Sequence, residues 1–87
     1  MKSRRTQYEI FWEILILCKT PKSYTSIIHK CNLNSKIAQD HINFLIKKKY
    51  LSIEKNKNKT LYLTNEKAQE FLTLFSKLYK NLFEETI

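Results

Sequence analysis

The segment from residue 51 to residue 63 constrains the fold most, because it interrupts a sequence that is otherwise patterned for helices. Leu51 to Lys55 alternates apolar and polar side chains, as a half-buried strand does, and Thr60 to Leu63 is a second short strand-like segment. The residues between them, Asn56 to Lys59, are polar, and asparagine tolerates the positive φ of a tight turn. The pattern predicts a β-hairpin with a basic tip.

Three helices are predicted before this hairpin. They cover residues 6–18, 24–30 and 35–48. Thr20-Pro21 ends the first, because the residue before a proline is pushed out of the α region. Ser23 and Asn34 are good N-caps for the second and third. A short polar turn with one buried leucine, Leu33, separates these two helices.

A fourth helix is predicted from Asn65 to about Phe83, with Thr64 as its N-cap. Its apolar residues fall within an arc of roughly 180° and have the 3-and-4 spacing of a coiled coil. One seam can cover the core, and the remainder would be exposed on a monomer, so we expect a homodimer. The alternative is that the whole arc packs on its own domain. The predicted dimer contacts are Trp12, Phe71, Leu74, Phe75, Leu78, Tyr79, Leu82 and Phe83.

Charge is distributed unevenly along the 87 residues, a length that allows one domain. Residues 1–59 carry 13 basic and 4 acidic side chains, whereas residues 60–87 carry 3 basic and 4 acidic ones. A basic body joined to a near-neutral segment is typical of a protein that binds a polyanion and self-associates through a separate element. The alternative is that the basic balance only keeps the protein soluble.

Several classes of function are disfavoured. No apolar run approaches the ~20 residues needed to span a bilayer, so we expect a cytoplasmic protein without membrane contact. Cys18 and Cys31 form no CxxC pair, so that a zinc site is not expected. Buried free thiols are expected, and a Cys18–Cys31 disulfide is the alternative. The absence of glycine excludes a phosphate-cradling loop and a nucleophile elbow. His29 and His41 make no metal or catalytic pair, and His41 is expected to pack. We therefore expect no enzyme activity, cofactor or metal.

The order of three helices, hairpin and helix is the winged helix-turn-helix arrangement, a mainly α fold with a small β-hairpin. In this arrangement the third helix can enter the major groove of double-stranded DNA, and the hairpin, or wing, can contact the backbone. Residues 1–63 would form the DNA-binding part, and residues 64–87 the dimerisation helix of the same domain. The alternative is a protein–protein interaction module that uses the same fold. The predicted DNA contacts are Arg4, Arg5, Ser35, Lys36, Gln39, Asp40, Asn43, Lys47, Lys55, Lys57 and Lys59, with Lys2 in the same N-terminal arm.

Two segments resemble known proteins. Leu33 to Leu51 is similar to the recognition-helix signature of small archaeal winged-helix proteins, and Tyr62 to Leu72 to their strand-to-helix signature. The resemblance to the ten-kilodalton archaeal chromosomal DNA-binding proteins implies an antiparallel coiled-coil dimer on the nucleoid. It leaves transcriptional regulation and chromosome organisation both open. The chain departs from the group at Lys49, where glycine usually ends the recognition helix in a left-handed conformation, and at Ala68, which also replaces a common glycine.

Overall fold

Three helices, a two-stranded hairpin and a fourth helix follow one another along the chain. The computed structural model describes residues 5–81. The helices before the hairpin are α1 (Gln7–Leu17), α2 (Tyr24–Cys31) and α3 (Ser35–Lys47). The later elements are β1 (Leu51–Asn56), β2 (Lys59–Thr64), a 3-10 turn (Glu66–Ala68) and α4 (Gln69–Tyr79). The predicted fold class is confirmed.

Local hydrogen bonds explain why the first three helices begin where they do. Thr6 and Glu9 form a capping box, in which each side chain accepts a hydrogen bond from the other residue's backbone N–H, at 3.1 and 2.7 Å. The side chains of Ser23 and Asn34 accept hydrogen bonds of 3.1 and 2.9 Å from the backbone N–H three residues further on. The predicted caps of α2 and α3 are therefore confirmed.

The start of the last helix differs from the prediction. The Thr64 hydroxyl does not cap a helix; it donates a 2.7 Å hydrogen bond to the Leu15 carbonyl, and its backbone N–H donates to the Cys18 carbonyl at 2.8 Å. Asn65 instead caps the 3-10 turn that precedes α4, accepting a hydrogen bond from the Lys67 N–H at 2.9 Å, and α4 itself begins after Ala68 without a side-chain cap. The prediction for Thr64 is wrong because its polar groups join the end of β2 to α1.

The hydrophobic core lies around α1 and draws on every helix. Ile14 and Leu15 of α1 are completely buried. Cys18 and Cys31, at the ends of α1 and α2, are buried free thiols as predicted, and burial raises their pKa values to about 12 and about 11. The other buried members of the core are Phe11, Ile27, Ile42, Leu45, Leu51, Ala68 and Leu72.

The hairpin is antiparallel, with register from Leu51 opposite Thr64 to Asn56 opposite Lys59. The turn contains only Lys57 and Asn58, and the positive φ, 59°, is at Lys57. An asparagine was expected to take this conformation. The strands extend one residue closer to the tip than predicted, so that lysine is the first residue of the turn.

The linker between α1 and α2 adds a short bridge to the hairpin. The Lys22 N–H donates to the Tyr62 carbonyl at 3.0 Å, and the Tyr62 N–H donates to the Lys22 carbonyl at 2.8 Å. A single paired residue leaves no alternating pattern, and the sequence therefore did not predict it. The bridge fixes the hairpin beside the start of α2.

The end of α3 has the left-handed conformation that the resemblance implied. Lys49 has φ 68°, and the Tyr50 N–H returns to the Leu45 carbonyl at 2.9 Å, which closes the helix end. A left-handed conformation costs a residue with a Cβ about 1–2 kcal/mol.

Among the described residues, no helix is both long and apolar enough to cross a membrane.

Candidate nucleic-acid interface

The outer side of α3 is polar and fully accessible, whereas its inner side is sealed in the core. Ala38 and Ile42 are 0% exposed and Leu45 is 1% exposed. All six of the polar residues predicted on this helix are exposed; five of them lie on the opposite side, whereas Ser35, two turns before Ile42 in the same direction, is exposed because it begins the helix. These residues are Ser35, Lys36, Gln39, Asp40, Asn43 and Lys47.

The turn between α2 and α3 holds this surface in place. Asn32 ends α2 in the left-handed conformation, with φ 54° and ψ 58°, and the Leu33 N–H donates to the Ile28 carbonyl at 3.0 Å. The Tyr24 hydroxyl donates to the Ser35 carbonyl at 2.8 Å, joining the start of α2 to the start of α3. Two helices linked by so short a turn form a helix-turn-helix unit.

Four of the exposed side chains on α3 pair with one another. The Gln39 amide donates to the Asn43 side-chain oxygen at 2.9 Å. Lys36 Nζ lies 4.0 Å from Asp40 Oδ2, with both side chains largely exposed. An exposed pair of this kind adds little stability, but it offsets the negative charge that would otherwise repel phosphate.

The wing lysines surround the hairpin tip rather than forming one stripe. Lys55 is opposite Thr60, and Lys59 is opposite Asn56, on neighbouring rungs of the ladder. Successive rungs point to opposite faces of a hairpin, and so Lys55 and Lys59 flank it while Lys57 is at the turn. All three are exposed.

An open groove separates β2 from the start of α2. Lys22 and Lys59 line it, together with the hydroxyl-bearing residues Ser23, Thr25 and Thr60. Two cations and several hydroxyls are a suitable lining for a phosphate-containing backbone. Lys22 was not predicted as a contact, because an isolated lysine in a linker carries no sequence signal.

Arg5 makes contacts within the chain, whereas it was expected in a flexible arm. Its guanidinium donates to the Cys31 carbonyl at 2.8 Å and to the Asn32 carbonyl at 3.1 Å, and it also pairs with Glu13. These contacts hold it against the end of α2, where free carbonyls attract cations. Arg4 and Lys2 lie outside the described residues.

The predicted dimer contacts divide into two groups. Trp12 Nε1 donates to Ser76 Oγ at 3.1 Å, and its ring lies 5.8 Å from Phe75 and 5.9 Å from Tyr79, so these aromatic residues are partly buried within the chain. Phe71 packs against Tyr50 at 6.0 Å between ring centroids. Leu74 and Leu78 are 59% and 52% exposed. Leu82 and Phe83 lie outside the described residues.

His41 packs as predicted. Its ring meets the edge of Phe11 at 5.1 Å, and desolvation lowers its pKa below the ordinary value. Residues 5–81 hold no group of three or more histidine, cysteine, aspartate or glutamate residues with metal-binding geometry.

Comparison with known proteins agrees with this architecture. A family model described as winged helix-turn-helix matches residues 4–83. Sso10a-2, a DNA-binding protein from Sulfolobus solfataricus, is 28% identical, with a TM-score of 0.77, over 91% of this chain and 86% of that one. No curated protein matches the chain.

Two further solved structures share the fold at lower identity. F93 from STIV, a winged-helix DNA-binding protein, is 16% identical with a TM-score of 0.78, over 97% of this chain and 98% of that one. ZitR from Lactococcus lactis is 14% identical with a TM-score of 0.65, over 93% of this chain and 66% of that one. At these identities the likeness shows the fold alone.

Proposed function

Since the chain belongs to the winged helix-turn-helix family, we propose that it binds double-stranded DNA. The observation that carries the proposal is the exposed polar side of α3, next to a hairpin with lysines on both faces and at its tip. The similarity to Sso10a-2, which is described as a DNA-binding protein, supports it. The net charge of +8 favours association with a polyanion.

In the proposed complex α3 enters the major groove. Gln39 and Asn43 have amide groups that can hydrogen-bond to base edges, and Lys47 lies on the same side of the helix. Ser35 and the free N–H groups of the first turn can meet a phosphate. These contacts would combine base reading with positioning on the backbone.

The wing supplies most of the proposed phosphate contacts. Lys55 and Lys59 on its two faces, with Lys57 at the tip, can reach the backbone on either side of the hairpin. Lys22, across the groove from Lys59, adds a cation from the linker. Binding through so many lysines would depend steeply on salt, because each neutralised phosphate releases counterions.

We also propose that two copies associate through α4, as in the ten-kilodalton chromosomal type, with residues 1–63 facing DNA and residues 64–87 forming the dimer element. Leu74 and Leu78 support this, because they lie one turn apart and more than half of each side chain is exposed. Phe71, Phe75 and Tyr79 are only partly buried and would border the same interface.

The proposed site of action is the cytoplasmic chromosome, where the protein would regulate transcription or organise DNA. The two roles differ in sequence preference. A regulator would prefer particular sites, whereas an organising protein would bind most duplexes with similar affinity.

The test is duplex affinity at several salt concentrations, with a random duplex and with the promoter of the protein's own gene. We expect Lys57→Glu/Lys59→Glu to weaken binding at least about tenfold and to reduce the slope of log K against log salt by about 2. The matched control is Lys67→Glu/Lys80→Glu, which changes charge equally at exposed positions outside α3 and the hairpin.

Each result has a defined meaning. Equal binding by the wing variant and the wild type would contradict the placement of the wing. No binding by the wild type, even at low salt, would contradict DNA binding and favour the protein–protein interaction module. Preference for the promoter would indicate a regulator, and its absence an organising protein.

A further inference from the structure

One apolar residue of α3 lies beside the polar surface instead of in the core. Ile37 is 42% exposed, whereas Ile42 and Leu45 of the same helix are buried. Within residues 5–81, Ile37 belongs neither to the core cluster nor to the hydrophobic residues packed against it. Packing in the core therefore does not explain why an isoleucine stands at this position.

Its position is fixed by the start of the helix. The Ile37 backbone N–H donates to the Asn34 side chain at 2.9 Å, which places Ile37 in the first turn of α3. At about 100° per residue, Ile37 lies roughly 60° around the helix from Asp40 and roughly 100° from Lys36. It forms the apolar border of the surface that would face the groove.

The exposed Phe44 is different, although it is equally accessible. Its ring stacks on Phe11 at 5.1 Å, and Lys48 Nζ lies 5.9 Å from its centre, so that it is held by contacts within the chain. Ile37 offers a stiff side chain, because branching at Cβ restricts its χ1 rotation. Ordering such a side chain on binding costs little entropy.

The neighbouring polar side chains are partly engaged with one another. Gln39 is bonded to Asn43, and Lys36 is paired with Asp40, which uses part of the capacity of this surface to form hydrogen bonds. An apolar contact at the border of this surface would add a second way to discriminate between base pairs, besides hydrogen bonds. In the major groove the prominent apolar group on a base edge is the C5 methyl of thymine.

We propose that Ile37 packs against a thymine C5 methyl group and makes the protein sensitive to methyl groups in the major groove. The inference rests on the proposed function, because it requires α3 to lie in that groove. Loss of one such contact would weaken binding by about three- to fivefold, as expected for burial of a single methyl group.

The test compares affinity for alternating poly(dA-dT) duplex with that for poly(dA-dU) duplex, which differs in the thymine methyl. Wild-type protein should prefer the methylated duplex by about three- to fivefold. Ile37→Ala should bind both duplexes alike, and Ile37→Val should retain most of the preference. Ile16→Ala removes an isoleucine of similar exposure, 38%, from α1, outside both α3 and the hairpin, and should leave the preference unchanged.

A second pair of duplexes tests the gain of a methyl group. Alternating poly(dG-dC) carrying 5-methylcytosine should bind the wild type more tightly than the unmethylated polymer, and Ile37→Ala should remove the difference. A wild type without preference in either pair, or an Ile37→Ala variant that keeps it, would overturn the inference while leaving DNA binding intact. No binding to any duplex would overturn the proposed function itself.

Discussion

The two helices that carry most of the proposed contacts, α3 and α4, use their side chains differently. α3 buries Ala38, Ile42 and Leu45 and exposes five polar residues on its other side. In α4 only Leu72 is buried, while Leu74 and Leu78 are more than half exposed. The chain covers more of the apolar surface of α3, where Ile37 and Phe44 are each 42% exposed, than of α4, where Leu74 and Leu78 are 59% and 52% exposed. α3 therefore exposes mainly polar side chains, whereas α4 exposes apolar ones next to its polar side.

The largest effect on stability is expected for a residue of α3 that is buried in the core. Leu45→Ala should lower the free energy of unfolding by about 2–5 kcal/mol, because it removes buried methyl groups and leaves a cavity. Lys47→Ala, two residues away on the outer side, should change it by less than about 0.5 kcal/mol. Both values come from urea unfolding followed by circular dichroism. Similar losses in the two variants would contradict the division of α3 into inner and outer sides.

The next effect concerns the surplus apolar surface of α4. Leu74→Glu/Leu78→Glu should weaken self-association by at least about tenfold, which is about 1.4 kcal/mol, because four charges would enter one interface. Sedimentation equilibrium measures the change. The control is Gln69→Glu/Thr73→Glu, which adds the same charge at exposed polar positions of the same helix. If the wild type sediments as a 10.5 kDa monomer, the excess apolar surface of α4 has another purpose.

The smallest effect is at the junction between α3 and the hairpin. Lys49→Gly should raise the free energy of unfolding by about 0.5–1 kcal/mol, because glycine adopts positive φ without a Cβ clash but is more flexible when unfolded. Lys48→Gly, at a residue with φ −78°, should lower it. The salt dependence of DNA binding by Lys49→Gly then shows whether this lysine also contacts phosphate. A loss of stability in Lys49→Gly would contradict the strain assigned to this turn.

The sequence predicted those parts of the fold that local interactions determine. Ser23 and Asn34 cap helices through hydrogen bonds to N–H groups three residues away, and such signals are readable along the chain. Thr64 looked like a similar cap, but its hydroxyl bonds to Leu15, 49 residues earlier. A residue's preference for a cap does not reveal that a distant carbonyl competes for the same group.

In the candidate site, too, the sequence predicted what depends on local spacing and missed what depends on distant contacts. Helical periodicity was sufficient to place five polar residues on one side of α3, because that depends only on spacing; Ser35 is exposed because it begins the helix. Arg5 and Trp12 were expected to reach other molecules, and both found partners within the chain, at the end of α2 and on α4. Ile37 was assigned to neither face, because nothing in its sequence environment distinguishes a border residue from a buried one.

The bridge between Lys22 and Tyr62 has a consequence for how DNA would be accommodated. It ties the linker to β2 by two backbone hydrogen bonds, which oppose any separation of the hairpin from the start of α2. The width of the groove between β2 and the start of α2 would then be largely the same before and after DNA binds. A duplex whose backbone does not match that gap would have to deform, at an energy cost that depends on its sequence. A contact made entirely by main-chain atoms in the protein could in this way influence which DNA it prefers.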